Sequence, residues 1–240
     1  MGFDLETTGV NPLEARIVTA SIVIRNRRQH KTLSWLIDPQ IEIPDEAAAV
    51  HGISTEKARK DGRHPKDALE EIADILSDHL SRNIPIVAFN LSYDWTVLDS
   101  ELKRRSLRTI NERVGQQIYG LIDPYVIDKE VDKYRKGSRK LNAVAEHYGI
   151  TEIENWHDSD ADALAAVLIT EKLFDRYPYL AAMGTEKLYG NQQMWRSRQC
   201  ASLEKYFRDP IKSGDKHNPE AVVIGDWPII SEQVSWETRS

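Results

Sequence analysis

The order of the apolar segments is the feature that most constrains the fold of this chain. Residues 3–7, 16–24 and 32–37 are rich in apolar and β-branched side chains, which is typical of strands. The polar and basic residues 25–31 fit a hairpin loop between the second and third of these segments. Three strands in succession, joined by short connections, predict an antiparallel meander at the start of the chain.

Helical periodicity begins at Pro65, a residue type that is common at the first position of a helix. Apolar side chains then recur at steps of three and four residues, at Leu69, Ile72, Ala73, Leu76 and Leu80. The same criteria predict three more helices and two short strands, at residues 93–105, 141–148 and 160–175 and at residues 84–89 and 118–122. This order predicts an α/β fold with one five-stranded mixed sheet, three antiparallel strands followed by parallel ones, flanked by helices.

The last part of the chain differs in composition from the part before it. Residues beyond Asp209 are richer in proline, glycine and charge. We expect residues 1–176 to form one domain, and residues 177–240 to form a helical extension and irregular tail, packed on the domain or peripheral to it. The apolar residues 222–224 predict a short added strand. Packing of a helix against the domain is the simplest explanation for the bulky side chains of Met194-Trp195, Tyr206-Phe207 and Trp227.

Charge and composition narrow the class of protein. The 240 residues carry a formal net charge of −6 and include one cysteine, Cys200, so no internal disulfide can form. The sequence contains no run of 18 apolar residues and no N-terminal signal pattern, and we therefore expect a cytoplasmic protein without a membrane partner. The negative charge argues against a broad basic surface for nucleic acid. It does not argue against a site whose carboxylates hold divalent cations that meet a phosphate.

An acidic pair lies in the first predicted strand. Asp4 and Glu6 are two residues apart, so both side chains point to the same face. An exposed strand face is the simple alternative. However, Phe3 and Leu5 are apolar, and a turn follows the pair immediately. Acids at the end of a core strand are better placed to bind a metal than to contact solvent.

Three later residues complete the pattern. Asp94 follows a predicted strand-to-helix junction, where a helix N-terminal acid is the alternative. Asp162 shares a helical face with apolar residues and must be paired, protonated or bound to metal, since an unpaired buried charge is too costly. His157 precedes this helix in a loop, where a surface histidine is the alternative. Together these residues predict a site for two divalent cations, held by Asp4, Glu6, Asp94 and Asp162, with His157 as the general base.

The spacing and the surrounding residues match a known family. Residues 3–9 (FDLETTG), 90–94 (NLSYD) and 157–162 (HDSDAD) resemble the three motifs of the DEDD exonucleases, in the histidine-type or DEDDh branch. The resemblance covers residues 1–175 and is closest to the proofreading epsilon subunits of bacterial DNA polymerase III. Residues 122–137 are similar to the epsilon-like proteins of actinobacteria.

The resemblance implies an RNase H-like fold, two Mg²⁺ or Mn²⁺ ions, and release of nucleoside 5′-monophosphates from the 3′ end of single-stranded or frayed DNA. Replication proofreading or repair is the implied process, with a replicative DNA polymerase subunit as a protein partner. The residues implied to bind the terminal nucleotides are Thr7, Thr8, Gly9, Glu46, His51 and Asn90. The chain departs from the family at residues 89–94, where FNLSYD stands in place of His-Asn-Ala followed by a Phe-Asp pair.

Two alternatives remain at this point. An RNA 3′→5′ exonuclease would use the same metals and histidine, and degradation of matched DNA and RNA oligonucleotides would distinguish it. A catalytically inactive nucleic-acid-binding module would be expected to lack a ligand, yet all five positions are filled. A separate basic run fits either a solvated loop or a contact with a nucleic-acid backbone, and it comprises Lys133, Arg135, Lys136, Arg139 and Lys140.

Overall fold

The centre of the structure is a mixed β-sheet. The structure is a computed structural model that describes residues 1–26, 29–151, 153 and 159–231. The five strands are Gly2–Thr7 (β1), Ile17–Asn26 (β2), Gln29–Leu36 (β3), Ile86–Val87 (β4) and Leu121–Ile122 (β5). They are arranged in the order β3-β2-β1-β4-β5. The first three strands pair antiparallel, whereas β4 and β5 run parallel to β1, which confirms the predicted fold class.

The β2–β3 hairpin is longer than its composition indicates. Residues 25–31 were expected to form its loop, but the ladder continues through the pairs Arg25–His30 and Asn26–Gln29. That prediction was wrong because backbone pairing does not require an apolar face. The polar side chains at this end of the hairpin are largely exposed, while the N–H and C=O groups still pair across the two strands.

Helices connect and flank the strands. They are Asp45–His51 (α1), Thr55–Asp61 (α2), Pro65–Ser81 (α3), Ser92–Arg104 (α4), Ile110–Val114 (α5), Pro124–Val131 (α6), Leu141–His147 (α7), Ser159–Arg176 (α8), Tyr179–Ala182 (α9), Thr185–Arg208 (α10) and Pro210–Ser213 (α11). Helix α3 starts at Pro65 and buries all five predicted apolar positions. The helix predicted at residues 141–148 is also confirmed as α7, and Gly149 after it adopts a φ of 69°, which favours glycine.

Helix α10, in the C-terminal part of the chain, joins the same apolar core as the sheet. Leu188 and Trp195 of α10 belong to the core cluster that contains β1 and α8, and Trp227 belongs to it as well. Helix α10 packs beside β5 and α6. In contrast, Met194 and Tyr206 are exposed on α10 by 53% and 37%, so the bulky side chains of this part of the chain are not all used for packing.

The strand predicted at residues 222–224 is absent from the described structure. The backbone N–H of Val223 donates to Glu204 Oε2 at 3.0 Å, and Ile224 packs into the protein from an irregular segment. Of these apolar, β-branched residues, Ile224 is buried whereas Val222 is 49% exposed, and none of them pairs with a strand. Across the described ranges, no helix combines the length and apolar character that a bilayer span needs.

Candidate functional site

The acidic pair lies on the face of β1 that meets α8. Phe3 and Leu5 point into the core, whereas Asp4 and Glu6 are partly exposed on the opposite face. Gly2 lies on the same face as the two acids. A Cβ at Gly2 would overlap the carbonyl oxygen of Ala163 in α8, so only glycine allows the strand and the helix to approach this closely.

Hydroxyl groups fix the start of α8 against the sheet. Ser21 on β2 lies opposite Asp4 in the strand register, and its Oγ is 2.7 Å from the Oγ of Ser159. Ser34 of β3 donates a hydrogen bond to Asp160 Oδ1 at 2.6 Å. The first turn of α8 is therefore held at a defined position, and this turn also carries Asp162.

Three carboxylates meet at this point. One oxygen each from Asp4, Glu6 and Asp162 lies within 4.8 Å of the others. Burial raises the pKa of Asp4 well above its usual range, and repulsion from Asp94, Asp162 and Glu6 raises it further. Closely spaced carboxylate oxygens are the donors that hard divalent cations prefer. The donor set therefore fits a divalent metal site.

Asp94 reaches the same site from the first turn of α4. Its side chain is buried, and its Oδ1 accepts a hydrogen bond of 3.1 Å from the backbone N–H of Leu5, between the two acids of β1. Burial raises the pKa of Asp94 well above its usual range, repulsion from Glu6 and Asp123 adds to this, and backbone N–H groups oppose it. The structure thus brings together all four predicted carboxylates.

The turn after β1 is held by the residue that precedes Asp94. The Tyr93 hydroxyl donates to the carbonyl oxygen of Gly9 and shares a hydrogen bond with Thr7 Oγ1. Thr8 is fixed by Arg16, because its Oγ1 accepts the Arg16 N–H at 2.9 Å. The turn predicted to contact the terminal nucleotide is therefore tied to α4 on one side and to the start of β2 on the other.

The other predicted nucleotide contacts lie on α1 and before α4. His51 ends α1, where burial lowers its pKa and a weaker interaction with the Thr7 backbone opposes this change. Glu46 is exposed in the first turn of α1. Asn90 has a φ of 61° and donates its backbone N–H to Asp123 Oδ1 at 3.0 Å. His51 and Asn90 thus lie beside the turn after β1 and the start of α4.

A comparison of the sequence with family models shows which family the chain belongs to. Residues 1–170 match the RNase_T family, which is described as exonuclease. The chain belongs to the RNase_T exonuclease family. Its five-stranded mixed sheet flanked by helices is the RNase H-like architecture of such exonucleases. A comparison of this family member with curated protein sequences found no match.

Solved exonuclease structures share the fold of this family member. E. coli exonuclease I in complex with a dT13 oligonucleotide has a TM-score of 0.63 and 19% identity, covering 78% of this chain and 44% of that one. The zinc-bound form of the E. coli exonuclease I–ssDNA complex has a TM-score of 0.63 and 18% identity, covering 84% and 44%. Exonuclease I from Methylocaldum szegediense has a TM-score of 0.59 and 18% identity, covering 85% and 44%. The chain spans less than half the length of these proteins.

Two buried residues of this exonuclease-family site were missed by the sequence analysis. Asp123 accepts backbone N–H groups from Asn90 and Leu91 and also caps α6. Gln192 of α10 accepts the N–H of Asp123 at 2.7 Å and donates to the carbonyl of Leu121 at 3.0 Å. The Asp123-Pro124 pair is a recognisable helix-start signal, whereas nothing local marks Gln192. The predicted base, His157, lies outside the described residues.

Proposed function

We propose that this protein is a 3′→5′ exonuclease that removes nucleoside 5′-monophosphates from single-stranded or frayed DNA ends. The observation that carries this proposal is the approach of carboxylate oxygens from Asp4, Glu6 and Asp162 to within 4.8 Å of one another. Asp94 joins them through its hydrogen bond to the backbone of Leu5. Membership of the RNase_T exonuclease family agrees with this chemistry.

The proposed cofactors are two divalent cations, Mg²⁺ or Mn²⁺, held by Asp4, Glu6, Asp94 and Asp162. Such cations supply a water of lowered pKa and positive charge for the reacting phosphate. The chain itself supplies alignment. The N–H of Leu5 orients Asp94, and the contact between Ser21 and Ser159 fixes the helix that carries Asp162.

The terminal nucleotide is proposed to lie between the turn after β1, the end of α1 and the start of α4. Thr7, Thr8 and Gly9 line the first side, Glu46 and His51 the second, and Asn90 the third. The hydrogen bonds of Tyr93 to this turn keep it in place before a substrate arrives. His157 is proposed to accept the proton of the attacking water, since a histidine with an ordinary pKa of about 6.5 can do so near neutral pH.

The proposal also includes a preference for DNA over RNA as the substrate. It is supported by the fold shared with exonuclease I, which was solved in complex with DNA oligonucleotides. We place the activity in replication proofreading or repair in the cytoplasm, as in the epsilon-like subunits that residues 122–137 resemble. A replicative DNA polymerase subunit is the proposed partner.

A matched pair of 5′-labelled DNA and RNA oligonucleotides tests the proposal. With Mn²⁺ or Mg²⁺, the DNA should shorten stepwise from its 3′ end with release of nucleoside 5′-monophosphates. Asp162→Asn should abolish this activity, whereas Asp175→Asn, an exposed position on the same helix, should not. Faster degradation of RNA would establish an RNA exonuclease instead, and degradation of neither would favour a binding module.

A further inference from the structure

Two cationic side chains flank one aromatic ring near the Asn90 turn. Lys129 on α6 places its Nζ 4.8 Å from the centre of the Tyr125 ring and 3.3 Å from the Tyr125 hydroxyl. Arg196 on α10 places its Cζ 5.9 Å from the same ring centre. All three side chains are partly exposed. We call Tyr125, Lys129 and Arg196 the Tyr125 patch.

The patch is attached to the turn that leads into α4. The Tyr125 ring meets the ring of Phe89 edge to face, with centroids 5.4 Å apart. The Tyr125 N–H and the Asn90 N–H both donate to Asp123 Oδ1 at 3.0 Å. Strands β4 and β5 end at this turn and run parallel to β1. The patch therefore lies at the carboxyl edge of the sheet, the edge at which the strand of Asp4 and Glu6 also ends. Ligands of open α/β sheets bind at this carboxyl edge.

Three neighbouring arginines pair with acids, unlike the two cationic side chains of the patch. Arg135 and Arg139 both pair with Asp128, at 2.8 and 2.6 Å, and Arg198 pairs with Glu130 at 2.6 Å. These contacts give Arg135 and Arg139 of the basic run a structural role.

Within the described part of the chain, neither Lys129 nor Arg196 has a carboxylate oxygen within 4.0 Å. Asp123 attracts Arg196 at longer range, but its oxygens already accept backbone N–H groups from Asn90, Leu91 and Tyr125. The patch therefore presents positive charge without a matching acid in contact with it.

We propose that Lys129 and Arg196 bind a backbone phosphate of the single strand whose 3′ end lies at the four carboxylates. Phosphate oxygens accept hydrogen bonds from guanidinium and ammonium groups, and both groups are held here at the carboxyl edge of the sheet. This inference rests on the proposed function and adds a strand-binding site to it. Arg196 lies beyond the family match at residues 1–170, so the C-terminal helix would contribute to substrate binding.

The double variant Lys129→Gln/Arg196→Gln tests the site on two substrates. For a single-stranded oligonucleotide of about 12 nucleotides, KM should rise about tenfold, because two partly screened contacts are lost. For the p-nitrophenyl ester of thymidine 5′-monophosphate, which has no upstream phosphate, KM and kcat should not change. In a plot of log affinity against log salt concentration, the magnitude of the negative slope should decrease by about 0.7, as expected for the loss of one phosphate contact on a single strand. Each single variant should give about a threefold rise, half of the free-energy change.

Controls separate charge from folding. Lys129→Arg/Arg196→Lys keeps both charges and should retain the wild-type KM, while Lys66→Gln/Lys205→Gln removes the same charge from exposed positions elsewhere and should also retain it. If the patch variants match this surface control in KM and salt slope, the inference is overturned.

Fluorescence anisotropy with the same oligonucleotide distinguishes this inference from the proposed function. An inactive wild-type protein whose binding depends on Lys129 and Arg196 would overturn only the exonuclease proposal. Activity without dependence on the patch would overturn only this inference. Absence of both activity and binding would overturn both.

Discussion

Replacing Asp4 with asparagine should stabilise the metal-free protein at pH 8. Burial and three neighbouring carboxylates raise the pKa of Asp4 above its usual range, so the folded protein holds this proton more tightly than the unfolded chain does. Between the unfolded pKa, about 3.9, and the higher folded pKa, the unfolded state binds fewer protons, and stability falls as pH rises. Above the folded pKa the whole penalty is present. Asparagine is neutral and avoids this penalty.

The size of the effect follows from the spacing of the carboxylates. Two unit charges 4.8 Å apart repel by about 3 kcal/mol at an effective dielectric constant of about 20. Partial protonation relieves part of this repulsion, so we expect a net gain of about 2 kcal/mol on substitution. For a domain of this size, that gain corresponds to a rise in Tm of about 4–8 °C.

Thermal unfolding in EDTA at pH 5 and pH 8, followed by a Mg²⁺ titration, measures the effect. The variant should exceed the wild-type protein in stability by more at pH 8 than at pH 5. The wild-type protein should also gain more from Mg²⁺, because a cation that binds only the folded state stabilises it. Asp215→Asn, at an exposed position, is the control and should behave as the wild type. A variant that is no more stable than the wild type at pH 8, or that gains equally from Mg²⁺, would refute the electrostatic reasoning.

Three further predictions address individual residues. His157→Ala should lower kcat by about 10²–10⁴-fold and remove the increase in rate near pH 6.5; an unchanged pH profile would exclude it as the base. Gln192→Leu should lower the free energy of unfolding in urea by about 2–5 kcal/mol, because it leaves two buried backbone groups without partners. Ser202→Ala, at an exposed position on the same helix, should change it by less than about 1 kcal/mol. Tyr93→Phe should raise KM for DNA more than it lowers kcat, since its hydroxyl holds the Gly9 carbonyl; an equal KM would contradict this role.

Long periodic segments and short-range spacing allowed much of the fold to be predicted. The apolar positions of α3 all lie in the core, and the order of strands fixed which acids could meet at one edge of the sheet. Asp4 and Glu6 were placed on one face by the two-residue period of a strand. Each of these inferences needed only local sequence and the general rule for parallel strands.

The short helices and the C-terminal contacts could not be predicted in the same way. Helices α1, α2 and α5 bury at most one side chain each, so no apolar period marks them in the sequence. Gln192 pairs with a backbone about 70 residues earlier in the chain, and no local pattern encodes such a contact. The apolar residues 222–224 predict a strand because β-branched side chains favour strands, yet only Ile224 is buried there, from an irregular segment.

The side chain of Gln192 has a consequence for the assembly of the protein. β5 is the last strand of the sheet, and its outward hydrogen-bonding groups include the Leu121 carbonyl and the Asp123 N–H. Gln192 occupies both groups, so α10 acts as a cover for this edge. A chain shortened to residues 1–176 would expose them, and unpaired strand edges of this kind invite pairing between molecules. Helix α10 thus closes the exposed edge of β5, a role that is independent of its contact with any substrate.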